Sequence, residues 1–435
     1  MRLTPMRTTA TMTIAAFLLA GLAACGGSST DTATSDGGGS STSQSSGTDM
    51  KVDQVALTAK STGNPFVDLR TAASHMPMTA DALAAGIVKG AKISGVVDSK
   101  AADLRAGLTH LLTEHVYLAG VAVATAYHNG ADSAEFKLAA ATLDENSKAV
   151  AAAVGSIVPD QQENFLVQWR SHINDFVTYA VGAKTGGAKG AKLKKEAVAN
   201  LTAYSAASGE FFAKITGGVL PAKAVKQEFL HHITSLAAAV DALAAGSPTA
   251  YDKLKAAADH MPMSATALAT GIAKATKMSG DPNDAASTLR SNLTALLTGH
   301  TYLAGIAVYT AYTADGGLDG AAFKAAAGAL DKNSVEISEA VGSIAGVDKG
   351  EAFLTVWRSH INDFVTYAKG EATGDAALKA TGLMNLDAYR TASGEFFSTI
   401  TGGALPADAV AAELKTHIET LAGAIDSLKT ALVKA

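Results

Sequence analysis

Trp169-Arg170-Ser171-His172-Ile173-Asn174-Asp175-Phe176-Val177-Thr178-Tyr179-Ala180 returns without a change as residues 357 to 368. An identity of that length marks an internal duplication, and other matches grow outward from it. His75-Met76-Pro77-Met78 returns as His260-Met261-Pro262-Met263, and Leu220-Pro221 as Leu405-Pro406. The same block sets the local structure. Phe165, Trp169, His172 and Phe176 recur at spacings of three and four, the stripe of an amphipathic helix. Leu104, Leu108, Leu111, Leu112 and Leu118 form a second such stripe, and strand-like alternation is absent.

Extending the reading along the first copy predicts helices near 66–94, 100–128, 133–157, 161–182, 192–214 and 221–245. Pro221 and Pro406 follow glycine-rich breaks and suit a first helical turn. The expected fold is all-α, with two tandem copies of a roughly six-helix antiparallel bundle over residues 64–246 and 247–435. The second copy, from about Ser247, owns its broken opening helix and all that follow, so it is expected to fold alone. Pro77 and Pro262 fall inside helical stretches, where proline removes a donor and pushes its predecessor out of helical geometry. The opening helix of each copy should break there.

Composition bounds the function. Of the chain, 48% is hydrophobic and 17% charged, which excludes disorder, and a net charge of −5 offers no basic footprint for nucleic acid. Arg2 and Arg7, then the apolar run Ile14 to Ala20, read as a signal peptide over residues 1–24. Leu22-Ala23-Ala24-Cys25 resembles the lipobox of bacterial lipoproteins. That resemblance implies acylation of Cys25, the only cysteine, and a protein lipid-anchored on the extracytoplasmic face of the cell membrane. Residues 25–63 carry the Gly/Ser-rich tether.

Comparing the copies sorts the eleven histidines. Four pairs match: His75 with His260, His115 with His300, His172 with His360, and His232 with His417. His110, His128 and His231 face Ala295, Thr313 and Thr416 and read as incidental. His115, His172 and His232 lie in apolar stripes and should point inward, with His75 at the helix break. Burying an imidazole without partners is costly, and four converging rings relieve that cost by sharing a metal ion. Met78 and Met263 add thioethers beside imidazole, a mixture that favours copper. Asp175 and Asp363, three residues after His172 and His360, and Glu228 and Glu413, four before His232 and His417, are candidate ligands or supporting acceptors. Zinc and iron stay open. Haem is a third reading: Gly120 and Gly305 lie mid-helix, where a flat macrocycle fits between two histidines, and Arg105, Arg170, Arg290 and Arg358 are available to propionates. The alternative to metal binding is a structural or interaction protein whose histidines form a hydrogen-bond network. No catalytic motif is recognisable. Metal affinity should fade as pH falls through about 6.5, where free imidazole protonates. Asn146 and Asn333, in Leu-Asp-x-Asn-Ser, read as helix breakers.

The Leu104-Arg105 helix start, His115, the Trp-Arg-x-His block and the His-Met-x-Met break together resemble a largely uncharacterised family of exported bacterial helical-repeat proteins. The resemblance covers both copies and implies export and a helical bundle. The anchoring expectation is checked by Cys25→Ser, which should release the protein from the membrane fraction or leave its precursor uncut. A processed, membrane-bound Cys25→Ser protein would show the lipobox reading to be mistaken.

Overall fold

A computed structural model of the protein describes residues 57–432; the expected signal peptide, Cys25 and most of the expected tether lie outside the described residues. Within that range the chain is all-α. The first copy gives α1 (Pro65–Ser74), α2 (Met76–Ala91), α3 (Lys100–Asn129), α4 (Ala134–Gly155), α5 (Gln162–Thr185), α6 (Gly187–Ile215) and α7 (Ala222–Ala244). The second gives α8 (Ala250–Asp259), α9 (Met261–Thr276), α10 (Ala285–Thr313), α11 (Ala321–Ala345), α12 (Val347–Thr373), α13 (Ala376–Ile400) and α14 (Ala407–Leu432).

The helix ends follow from local chemistry. The Asn64 side chain accepts from the Phe66 and Val67 amides at the start of α1, where Pro65 occupies the first helical position. Ser99, Ser133 and Asp284 cap α3, α4 and α10 in the same way. The proline breaks fall where expected, and α1 hands over to α2 at His75 as α8 does to α9 at His260. The His75 carbonyl is not left free, because it accepts from the Met78 and Thr79 amides at 3.1 and 3.2 Å.

The packing of these opening pairs is the feature that sequence periodicity does not show. α9 lies on α3 and α8 on α7, so the second copy's opening pair covers the first copy's bundle. α2 lies on α10 and α1 on α14, so the first copy's opening pair covers the second. The packed units are therefore out of frame with the sequence repeat. One bundle is contiguous from α3 to α9. The other is α10 to α14 completed by α1 and α2 from the other end of the chain. Leu254 of α8 drops onto Gly120, and Leu69 of α1 onto Gly305. A Cβ at either glycine would stand 2.5 or 2.4 Å from the leucine side chain, so glycine is required by close approach.

The two ends of the described segment meet along α14. The Lys60 amide donates to the Glu419 carbonyl at 2.9 Å, and the Lys60 ammonium lies 2.7 Å from the buried Glu419 carboxylate. Buried Asp68 accepts from the Thr62 amide and from Ser427. Between the bundles, α3 and α10 run parallel. Thr109 meets Ser291 at 2.8 Å, Tyr302 donates to Glu114 at 2.9 Å, and Tyr117 stacks on Tyr302 with centroids 5.6 Å apart.

The frame shift makes a prediction that the sequence repeat does not. A fragment of residues 97–278 carries one complete bundle and should melt cooperatively as a helical monomer. A fragment of 64–246 exposes the α3 and α7 faces that α8 and α9 cover, and should be less stable by several kcal/mol on area grounds. Circular dichroism melts of the two decide; equal stability would place the packed unit back in the sequence frame.

Candidate metal centres

Three helices of each bundle send one histidine to a common point. His115 comes from α3, His172 from α5 and His232 from α7; His300, His360 and His417 come from α10, α12 and α14. In each triad one nitrogen per ring lies within 4.8 Å of the other two, and all six residues are buried. The Nε2 atoms of His172 and His115 are 3.4 Å apart, as are those of His360 and His300. Metal–imidazole bonds of roughly 2.0–2.1 Å in a tetrahedron put ligand nitrogens about 3.3–3.4 Å apart, so this spacing already fits a shared ion. Each triad can hold a metal ion.

Aromatic rings hold the imidazoles in place. Tyr204 stacks on His172 with centroids 4.6 Å apart, and Tyr389 on His360 at 4.4 Å. Trp169 wedges against both His115 and His172, at 4.9 and 4.7 Å. This explains the recurrent Trp-Arg-x-His block, since its tryptophan and histidine lie one turn apart on the inward face of one helix.

Hydrogen bonding within the triads is incomplete. His232 makes no protein hydrogen bond at either ring nitrogen, and the Nδ1 atoms of the other five histidines lack a well-formed one. The nearest help is the Trp169 carbonyl beside His172 and the Asn146 amide beside His115. Burial holds the imidazoles neutral. It pushes His115 and His417 down to about 4 and His232 to about 3, with His172, His300 and His360 also well below the usual range.

Asn146 was read as a helix breaker and is instead fully buried in the middle of α4. Its amide donates to the Leu111 carbonyl at 3.0 Å and to Glu114 at 2.8 Å, which aims its carbonyl side at His115. Asn333 holds the Leu296 carbonyl at 3.1 Å in the second bundle, where Gly299 stands in place of Glu114. Glu114, absent from the sequence reading, is wholly buried and also meets Arg70 at 3.2 Å.

The remaining expected site residues go elsewhere. The helix exchange carries His75 and His260 to the opposite bundles, so neither joins the triad of its own copy. His260 sits 3.0 Å from Glu228 and stacks on His231 at 3.8 Å, which gives His231 a role the copy comparison missed. His75 falls within electrostatic reach of Glu413 and His417. Glu228 and Glu413 thus partner the exchanged histidines. Met78 and Met263 are 55% and 59% exposed, because the residue two past the break faces solvent. Met76 and Met261 take the inward position instead, at 3% exposure. Asp175 and Asp363 accept from Asn200 and Asn385 at 3.0 and 2.9 Å, tying neighbouring helices together outside the triads. For haem, the space at Gly120 and Gly305 is filled by leucine. Arg105 and Arg290 are spent on inter-bundle contacts with Pro282 and Val97, and Arg170 and Arg358 form paired hydrogen bonds to Asp144 and Asp331.

An apolar cavity adjoins each triad. The larger, about 120 Å³, has His115 and His232 in its wall; the smaller, about 50 Å³, has His300 and His417. Comparison with protein-family profiles, curated proteins and solved structures yields no match to this chain.

The buried imidazoles set the acid stability of the metal-free protein. An imidazole takes up a proton near 6.5 when unfolded and only near 3 to 4 in the fold. The unfolded state therefore binds more protons between those values, so stability is full above about 6.5 and falls as pH drops. A histidine kept neutral by the fold costs about 1.4 kcal/mol per pH unit in that window, so a few of them acting together remove a large share of a domain's stability. Chemical denaturation from pH 7.5 to 4.5 should show the midpoint collapsing near pH 5, above the carboxylate range. A flat profile down to about pH 4.5 would mean that the histidines are not buried in neutral form. In the folded protein, protons compete for the ligand nitrogens only near pH 4, so metal affinity should persist well below the 6.5 expected of free imidazole.

Proposed function

We propose that this is an extracytoplasmic, lipid-anchored copper-binding protein with one three-imidazole site in each bundle, acting in metal handling or sensing. One observation carries the metal reading: three buried imidazoles converge twice, each with one nitrogen within 4.8 Å of the other two, and most of their Nδ1 atoms are poorly satisfied. A structural network would be expected to pair its buried polar atoms, since each orphan costs roughly 1–3 kcal/mol. Coordination offsets that cost. Three protein ligands also leave an open position, the pattern of sites that take a further ligand and not of closed structural ones.

Copper is favoured by charge and softness. The ligands are neutral and the surroundings apolar, so an ion of single charge is cheaper to bury than a dication. Met261 and Met76 line the cavities beside the triads, and copper(I) is the imidazole-binding ion that also accepts thioethers. The lipobox resemblance supports the location, on the side of the membrane where exported proteins meet metal ions from the environment.

Anaerobic copper(I) titration against a competing chelator, with zinc in parallel, tests this. Wild-type protein should bind two ions, His172→Ala one, and the His172→Ala/His360→Ala double variant none. Loss of a ligand should weaken its site by at least about 100-fold, beyond the roughly 10–100-fold that supporting residues cost. Met78→Leu/Met263→Leu should keep both sites. Histidine variants that lose stability while wild type binds neither metal would favour the structural network.

A further inference from the structure

The larger cavity has a chemistry of its own. Its wall is made by Leu108, Leu112, Phe165, Trp169, Phe212 and Leu268 on one side of His115 and His232. Apart from the imidazoles and the unpartnered Trp169 indole N–H, its polar lining is Glu228 and Ser264, which hydrogen-bond to each other at 3.1 Å. α9 of the other copy closes it against α7, and Ala224 and Ala267 sit at the solvent-facing edge. An anion, a sugar or an amino acid would lose its hydrogen bonds to water here and find no replacements. Water needs two to four polar partners, and predominantly apolar cavities of about 150 Å³ stay dry and take up xenon.

We propose that this cavity takes up a small neutral diatomic molecule, of the class of dioxygen, carbon monoxide and nitric oxide, and holds it against the His115–His172–His232 triad. Uptake rests on the cavity alone; binding at the triad rests on the metal reading above. Three protein ligands leave a further coordination position, and the cavity lies directly against two of them, His115 and His232, while its wall disfavours charged ligands. A neutral diatomic gains from apolar surroundings and has the lone pair that coordination requires. The second bundle repeats the arrangement around about 50 Å³, so uptake should favour the first.

The test uses the full described chain in two states. Metal-free protein is titrated with xenon and followed by ¹²⁹Xe NMR. Copper(I)-loaded protein is exposed to carbon monoxide, with the C–O stretch and the association rate recorded. Ala267→Trp and Ala224→Trp place an indole at the edge without touching the triad, and two positions guard against one failing to fold. Expected are saturable xenon uptake by wild type, its loss in a folded tryptophan variant, and carbon monoxide association slowed at least tenfold in that variant while two copper ions still bind. No saturable xenon uptake by wild type would overturn the proposal. So would an unchanged association rate in a variant that has lost xenon. Xenon saturation in a protein that binds no copper would remove the metal reading and leave gas uptake by the cavity standing.

Discussion

An imidazole taken out of water must find partners for two ring nitrogens, and this fold buries three of them at one point, twice. That demand organises each bundle. The helices must bring His115, His172 and His232 within a few ångströms, so their inward stripes cannot slide or rotate freely. Stacked Tyr204 and wedged Trp169 then fix the ring planes, and Asn146 reaches across from α4 to steady His115. The same parts recur around His300, His360 and His417, with Tyr389, Trp357 and Asn333 in the matching places. What differs is the support beyond them, where Glu114 is replaced by Gly299 and the cavity shrinks.

The exchange of opening helices serves the same demand. Five helices leave an apolar flank beside the histidines, and α9 or α2 covers it with Met261, Leu268 and Ile272 or Met76, Leu83 and Ile87. The covering helix thereby excludes water from the triad. It also removes His75 and His260 from their own copies, since a helix that crosses to the neighbouring bundle takes its polar residues along. Polar contacts along α3 and α10 then fix the register of the bundles within a shared apolar core.

Much of this was legible in the amino-acid order. The helices fell within a few residues of their predicted spans because caps, prolines and apolar stripes agree with one another there. Three of the four histidine pairs were found because they sit in unbroken stripes whose inward face is unambiguous. The fourth was misplaced for a physical reason: periodicity shows which face of a helix is buried, and not which neighbour buries it. When two copies share nearly the same stripe, either bundle satisfies it. The Met76/Met78 choice failed similarly, because a break resets the helical phase. Asn146 was hidden by its propensity, which argues for turns. Its recurrence four residues before Val150, three after Leu143 and inside a helix of both copies was the signal that could have placed it inward.

Chain connectivity treats the two covering pairs differently. α8–α9 is spliced into the chain at both ends, through a short loop to α7 and another to α10. α1–α2 is joined to a bundle only through the α2–α3 loop, and side-chain contacts hold it on α14. The buried Asp68–Ser427 and Lys60–Glu419 contacts occur at this seam, and the matching positions in the other bundle are Lys253, Ala242 and Thr234, which carry no such pairing. Polar contacts have taken over the task that a peptide linkage performs next door. The two nearly identical centres are therefore closed by different means, one by chain connections on both sides of its covering pair and the other by side-chain contacts on one of them.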